Sequence, residues 1–372
     1  MSYKKQLSTY KKPYDIEATN QLFLKAMQEN CLYQYEHCAD YKRILEEKGF
    51  HPRDLKEYKD LERLPFIPTL YFKQHAMFSM PSKRLLIKAT SSGTSGRKSQ
   101  MGFNFGSLYR GLRMVLTVGR YHHLFSLKPA HYLIFGYEPN KNNKIVFSKT
   151  AYGFTFFTPA LSRAYALQYT GGGYQLDLES LKQKFLQYSQ SKFPVRTIGF
   201  PAYTYFLLKQ MKEEGLKVQL PRGSIMTLGG GWKQFYAQKV SKEDFYALVE
   251  EILGIDEQHI FEFFGAVEHP ILYTDCRCHH FHVPLYSRVL IRDVDTLEPV
   301  PNGKAGLVNL MTPMVDSVPI LSIMTDDLGI LHEEKCSCGE SAPWLEILGR
   351  VGIKDIVTCA AGAGEMLKDK EG

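Results

Sequence analysis

Thr90-Ser91-Ser92-Gly93-Thr94-Ser95-Gly96-Arg97-Lys98-Ser99 is the stretch whose reading decides the fold. An apolar run, Leu85 to Ala89, leads into it, and a helical pattern from Ser107 to Leu116 follows it. A Ser/Thr/Gly loop between a strand and a helix can turn backbone N–H groups and hydroxyls toward phosphate oxygens. Lys98 adds a positive charge. A nucleoside-triphosphatase P-loop needs a second glycine immediately before its lysine, and Arg97 stands there, so that reading is excluded.

Outward from this loop the pattern alternates. Tyr132 to Phe135, Val195 to Ile198 and Ile225 to Leu228 read as strands, the last ending at Gly229-Gly230-Gly231. Leu178 to Gln187 and Tyr203 to Glu214 read as helices. Strands alternating with helices predict an α/β fold with a largely parallel sheet. From Asp275 to Ile330 the pattern becomes β-rich. On the N-terminal side, Asp15 to Glu47 is helical by its three- and four-residue apolar spacing, and Gly49 ends it. Leu64-Pro65-Phe66-Ile67-Pro68 reads as extended linker, because residues before proline avoid the helical region.

Composition narrows the class. Of 372 residues, 44% are apolar and 23% charged, as in ordinary globular proteins. No apolar run reaches the roughly 18 residues of a membrane span. The N-terminal lysines lack an apolar stretch after them, so no signal peptide is expected and the predicted location is cytoplasmic. The net charge of +7 is scattered rather than interleaved with aromatics, which argues against a nucleic-acid partner. The 7 cysteines are odd in number, which speaks against a disulfide framework.

Further motifs follow in order. Gly229-Gly230-Gly231 closes a strand. Then come Phe264-Gly265-Ala266-Val267-Glu268, Thr325-Asp326-Asp327-Leu328-Gly329 and Gly349-Arg350. This set resembles the adenylate-forming, AMP-binding superfamily. The resemblance implies ATP as substrate and a phosphate loop at Ser91, Ser92, Gly93, Thr94, Ser95, Gly96 and Lys98. It implies adenine beside Gly229, Gly230, Gly231, Phe264 and Gly265, Mg²⁺ on Glu268, ribose on Asp327, and a hinge at Arg350. Lys98 stands one place early, Val267 replaces the usual threonine, and Asp326 replaces the usual glycine. The implied fold is the superfamily's N-terminal domain, mixed α/β with parallel sheets and a β-rich subdomain, over residues 1–348. Residues 349–372 would form a much reduced C-terminal lobe, in which Lys354, Lys368 or Lys370 could stand for the family's terminal catalytic lysine.

Within that superfamily the chain resembles the LuxE-type acyl-protein synthetases. Leu64-Pro65-Phe66-Ile67-Pro68 with Tyr71-Phe72-Lys73, and Phe281-His282-Val283-Pro284, carry this likeness. It implies activation of a carboxylic acid, a fatty acid foremost, to acyl-AMP. It also implies transfer to a cysteine near the C-terminus, here Cys359 in a Gly/Ala-rich segment, and a partner reductase that receives the acyl group. Thiolate attack on a mixed anhydride is covalent catalysis with a good leaving group. Glu268 and Lys98 would share the catalytic work with Cys359. Two other readings compete: an acid–CoA ligase of the phenylacetate type, and a nucleotide-binding subunit without catalysis.

Asp275-Cys276-Arg277-Cys278-His279-His280-Phe281-His282 and Cys336-Ser337-Cys338-Gly339 offer more thiols and imidazoles than one structural Zn²⁺ needs. A resemblance to phenylacetate–CoA-ligase-like proteins selects Cys276, His282, Cys336 and Cys338, leaving Cys278 and His279 as alternatives. Tyr152, Phe154, Phe156, Phe157, Phe200, Tyr203 and Phe206 are candidates for an apolar acyl pocket.

Overall fold

The computed structural model describes residues 1–90, 99–140, 146–171, 173–232, 235 and 238–350. The chain divides into two compact units, Met1–Tyr121 with the chain from Gly265 onward, and His122–Phe264.

The first unit opens with helices α1 (Tyr3–Thr9), α2 (Ile16–His37) and α3 (Ala39–Glu47). The predicted single helical stretch thus breaks at Cys38, whose backbone is extended at φ −128°. Gly49, at φ +63°, follows the end of α3. The expected linker is partly a strand: β1 (Ile67–Pro68) leads straight into α4 (Thr69–Gln74). Strands β2 (Ile87–Thr90) and β3 (Gln100–Phe103) form an antiparallel pair, and α5 (Phe105–Tyr121) follows.

In the second unit come β4 (Ala130–Tyr137), α6 (Val146–Phe154), β5 (Ala160–Tyr169), β6 (Tyr174–Leu176) and α7 (Leu178–Ser189). They are followed by β7 (Val195–Gly199), α8 (Pro201–Glu213), β8 (Ile225–Gly229), α9 (Lys242–Leu253) and β9 (Ile260–Ala266), whose last two residues belong to the first unit. The sheet order is β9-β8-β7-β4-β5-β6, parallel from β9 to β5, with β6 antiparallel at the edge. This is the parallel sheet expected from alternating strands and helices. Leu133, Phe135, Leu181, Phe185, Leu207, Met226, Val249 and Ile252 form its core against α7, α8 and α9.

After Gly265 the chain is β-rich, as predicted: β10 (His269–Thr274), β11 (Phe281–His282), β12 (Arg288–Arg292), β13 (Ala305–Met311), β14 (Ser322–His332) and β15 (Trp344–Arg350). An antiparallel sheet runs β11-β15-β14-β13-β12, and β1 adds to β14 in parallel, Ile67 opposite Ile323. No helix among the described residues is long and apolar enough to cross a membrane.

A buried charge cluster ties this first unit together. Asp316 accepts from Lys4 Nζ at 2.6 Å and from Arg110 Nη2 at 2.5 Å. Arg110 Nε also donates to the Met314 carbonyl, and Asn30 and Gln34 of α2 donate to carbonyls of Val315 and Asp316. Burial alone would raise the Asp316 carboxyl, but Arg110 and Lys4 outweigh it and hold it below the ordinary range. We predict that Asp316→Asn costs on the order of 3 kcal/mol, because buried Arg110 loses its counter-charge and buried Lys4 keeps only Glu29 at 3.8 Å. The depressed carboxyl adds stability that is present above the unfolded value of about 3.9 and lost as pH falls through the folded value. Urea unfolding at pH 7 and pH 3 should therefore show wild type and variant converging in acid.

Candidate functional site

The β1–β14 pairing sets α4 beside the Thr325-Asp326-Asp327 segment of β14. Thr69 Oγ1 donates to Asp326 Oδ1 at 3.1 Å, and Lys73 Nζ lies 4.0 Å from Asp326 Oδ2. The β14–β15 register places Arg350 opposite Asp327. Arg350 Nη2 donates to Asp326 Oδ2 at 3.3 Å, and its Nε is 3.9 Å from Asp327 Oδ1. Asp326 thus collects a hydroxyl and two cations, while Asp327 keeps a half-buried carboxylate next to Arg350.

Glu268 lies at the turn between β9 and β10, only 5% exposed. Burial raises its carboxyl; Ser99, by hydrogen bond, and Lys73 and Arg350, by charge, pull the other way without cancelling the rise. Two expected site residues and two unexpected ones therefore share one electrostatic neighbourhood in the first unit. Lys73 was quoted in the sequence only as part of a family likeness; its signal was a lysine one helical turn after an extended Pro-containing strand. Ser99 is the last residue of the hydroxyl-rich loop. Ser91, Ser92, Gly93, Thr94, Ser95, Gly96 and Lys98 lie outside the described residues, as do Cys359, Lys354, Lys368 and Lys370.

The second unit carries the other expected nucleotide residues. Gly229 ends β8, and Gly230 and Gly231 take φ of +78° and +66°, conformations that favour glycine. Phe264, half-buried, lies on β9 at the end of the second unit, and Gly265, the next residue, begins the later part of the first. The aromatic candidates form three groups: Phe154 stacks on Phe263 at 4.6 Å and meets Phe157, Tyr152 meets Phe156 edge-on at 5.2 Å, and Phe200 meets Tyr203, which with Phe206 meets Phe235. Tyr152 and Phe156 are exposed.

The cysteine and histidine cluster belongs to the first unit. The ligand-type atoms of Cys276, His282, Cys336 and Cys338 all lie within 4.8 Å of one another. Both C-x-C segments fold into the same turn. Cys276 N–H donates to the His280 carbonyl and His279 N–H to that of Cys276; Cys336 and Glu340, Gly339 and Cys336 repeat the pattern. In each turn the second cysteine's N–H points at the first sulfur, at 3.4 Å. The fourth residue of each is left-handed, His279 at φ +55° and Gly339 at φ +101°. The His282 Nδ1 is 2.9 Å from the Ala342 carbonyl, so it carries the proton and leaves Nε2, 3.3 Å from Cys338 Sγ, as a lone-pair donor. His279 is engaged with Asp275 and Cys278 with the Ser337 hydroxyl, which takes both out of the four. Burial raises the Cys276 thiol, so a cation is what would bring it to thiolate.

The fold is that of the adenylate-forming enzymes. A solved 2-hydroxyisobutyryl-CoA ligase with 2-HIB-AMP bound superposes at TM-score 0.67 over 92% of this chain and 70% of that one, at 19% identity, a likeness of fold alone. The family model for acyl-protein synthetase, LuxE, matches residues 7–368, and the chain belongs to that family. The long-chain-fatty-acid–luciferin-component ligase of Vibrio harveyi is 25% identical over 366 residues, covering 96% of this chain and 91% of the relative. That of Aliivibrio fischeri is 24% identical over 368 residues, covering 95% and 94%. The phenylacetate-coenzyme A ligase of Thermus thermophilus is 25% identical over 341 residues, covering 88% and 70%.

One prediction follows from Glu268 alone. Its raised carboxyl means that folding favours the protonated form. The ionised form therefore destabilises the fold increasingly as pH rises from the unfolded value toward the folded one. Glu268→Gln should raise Tm at pH 8, on the order of 2 °C, with the gain vanishing near pH 4. A scanning fluorimetry series across that range checks it.

Proposed function

We propose that the protein activates a carboxylic acid, a long-chain fatty acid foremost, and then holds the acyl group as a thioester on Cys359. Family membership across residues 7–368 is the observation that carries this reading. In the first step the substrate carboxylate oxygen attacks the α-phosphorus of ATP, and pyrophosphate leaves with the bonding pair. In the second, the Cys359 thiolate attacks the acyl carbonyl, AMP leaves, and the thiol proton passes to solvent. A reductase partner that takes the acyl group from that thioester completes the assignment.

The residues of the first unit suit this chemistry. Lys73 is buried, and Asp326 keeps it and Arg350 in place. Fixed cations near a buried carboxylate can stabilise charge that develops in a transition state without reorganising. Glu268 is the residue that would hold Mg²⁺, because a desolvated carboxylate is relieved by a bound cation. Mg²⁺ would supply Lewis-acid neutralisation of phosphate charge. Asp327, beside Arg350, would accept from the ribose hydroxyls. The Ser91–Gly96 loop with Lys98 would bind phosphates, and Gly229–Gly231 with Phe264 and Gly265 the adenine.

Cys276, His282, Cys336 and Cys338 fit structural Zn²⁺. Their donor set is Cys₃His, the histidine tautomer is fixed by Ala342, and backbone N–H groups support the sulfurs. Zn²⁺ here would fasten β11 and the β14–β15 connection rather than touch substrate.

A second reading, an acid–CoA ligase, draws on the 25% identity to the Thermus enzyme. The discriminating experiment incubates the protein with ATP, Mg²⁺ and labelled fatty acid, with and without CoA. Hydroxylamine-labile label on the protein is expected. Cys359→Ser should lose that label yet keep fatty-acid-dependent pyrophosphate exchange; if label persists, another cysteine is the acceptor. Acyl-CoA formation with no protein label would favour the second reading. Separately, elemental analysis should find about one zinc per chain, and Cys336→Ser should lower Tm far more than it slows acyl-AMP formation. Metal-free protein of unchanged Tm would reject the zinc assignment.

A further inference from the structure

The second unit contains a cationic cavity that the chemistry above does not use. It measures about 330 Å³ and is lined by Ser126, Lys128, Pro194, Arg196, Arg222 and Gly223. These residues lead into or begin β4, β7 and β8, so the cavity lies at the amino ends of the parallel strands. Gly229–Gly231 sits at the carboxyl end of β8, where ligands of open α/β sheets gather. The five residues of β8 separate the two ends by roughly 16 Å at about 3.3 Å per residue.

Three of the lining side chains are cationic and none is acidic. Arg196 is the fixed one, only 9% exposed. It is held on β7 between Tyr132 of β4 and Ile225 of β8 by register. Its Nη1 donates to the Leu124 carbonyl at 2.5 Å, and the Tyr132 hydroxyl is a further hydrogen-bond partner. Its Nε–H is buried without a hydrogen-bond partner. Among the described residues no carboxylate forms an ion pair with it. A buried guanidinium without counter-charge is costly unless an anion completes it. Lys128 and Arg222 are exposed at the mouth, and the Ser126 hydroxyl, which accepts from Lys128 N–H at 3.0 Å, can donate its own proton. Gly223, at φ +88°, leaves the rim without a side chain.

We propose that this cavity binds a phosphate-bearing small molecule, with Arg196 as the preset donor at its wall and Lys128 and Arg222 as the cations that close on it. Three converging positive charges suit a di- or trianion better than a single carboxylate, and guanidinium groups match phosphate oxygens in pairs. The phosphate could come from a free inorganic ion or from the tail of a phosphorylated cofactor. The reading does not depend on the acyl-transfer assignment.

Calorimetric titration of the full chain tests it, with inorganic pyrophosphate in one arm and adenosine 3′,5′-bisphosphate in the other. For at least one ligand, affinity should fall by about tenfold or more in the double variant Lys128→Ser/Arg222→Ser, the loss expected when charge-assisted hydrogen bonds are removed. That variant changes only exposed side chains, so its Tm and its pyrophosphate-exchange rate should match wild type. Arg196→Met should lose the same binding event. Tighter binding of pyrophosphate marks the free ion as the ligand, and tighter binding of the bisphosphate marks a cofactor tail. Binding of both ligands to the double variant as tightly as to wild type, or no binding of either to wild type, overturns the proposal.

Discussion

Two residues of parallel pairing, Ile67 opposite Ile323 and Pro68 opposite Met324, govern the chemistry of the first unit. A strand this short contributes little by its own hydrogen bonds. Its effect lies in where it ends. Pro68 is the residue before α4, so the register that seats Pro68 on β14 also sets Thr69 against Asp326 and brings Lys73 within reach of it. From the other side, the β14–β15 register delivers Arg350 to the same carboxylate. Asp326 supplies a fixed negative charge that orients two cations, and both in turn act on buried Glu268. A slip of one residue in either register would turn these side chains to the opposite face of the sheet.

The same logic of short, rigid pieces applies to the sulfur cluster. Each C-x-C turn points one backbone N–H at its own first sulfur, at 3.4 Å. Yet the two turns are not used alike. In the second, both cysteines belong to the four-residue group; in the first, only Cys276 does, and His282 reaches in from β11. The Cys278 thiol is taken by Ser337, across the gap between the turns. Arg277 Nη2 bridges that gap as well, donating to the carbonyls of Ser337 and Cys338. Trp344 is stacked between His280 and His332 at 3.6 and 3.7 Å, which packs the start of β15 against the cluster.

Much of this was legible before any coordinates. Strands β4, β7 and β8 and helices α7 and α8 emerged from apolar period and from Gly and Pro punctuation, because both strand faces or one helix face are buried. The four-residue sulfur group was also selected from sequence, although by family likeness; spacing alone left Cys278 and His279 in contention. What sequence could not give were roles created by long-range register. Lys73 lies some 250 residues from Asp326, and nothing local marks it as a partner. Ile67–Pro68 read as linker because a two-residue strand has no periodicity to detect. Asp316 reads as an ordinary loop aspartate until Lys4 and Arg110 close on it from distant parts of the chain.

Arg196 shows the converse limit. In sequence it is an unremarkable polar residue inside the strand run Val195 to Ile198, where it interrupts an apolar pattern. A central parallel strand is covered on both faces, so a charged residue there must be paired, solvated at the strand's end, or completed by a ligand. Its hydrogen-bond partners are the Leu124 carbonyl and the Tyr132 hydroxyl opposite it, and among the described residues no carboxylate pairs with it. Position then decides among the options. Arg196 is the second residue of β7, close to the amino end of the sheet, where it lines a cavity rather than lying within the core. A charge in the middle of the strand would have demanded a buried acid. A charge at its end can leave that role to an anion from outside, and the protein has placed two further cations where such an anion would arrive.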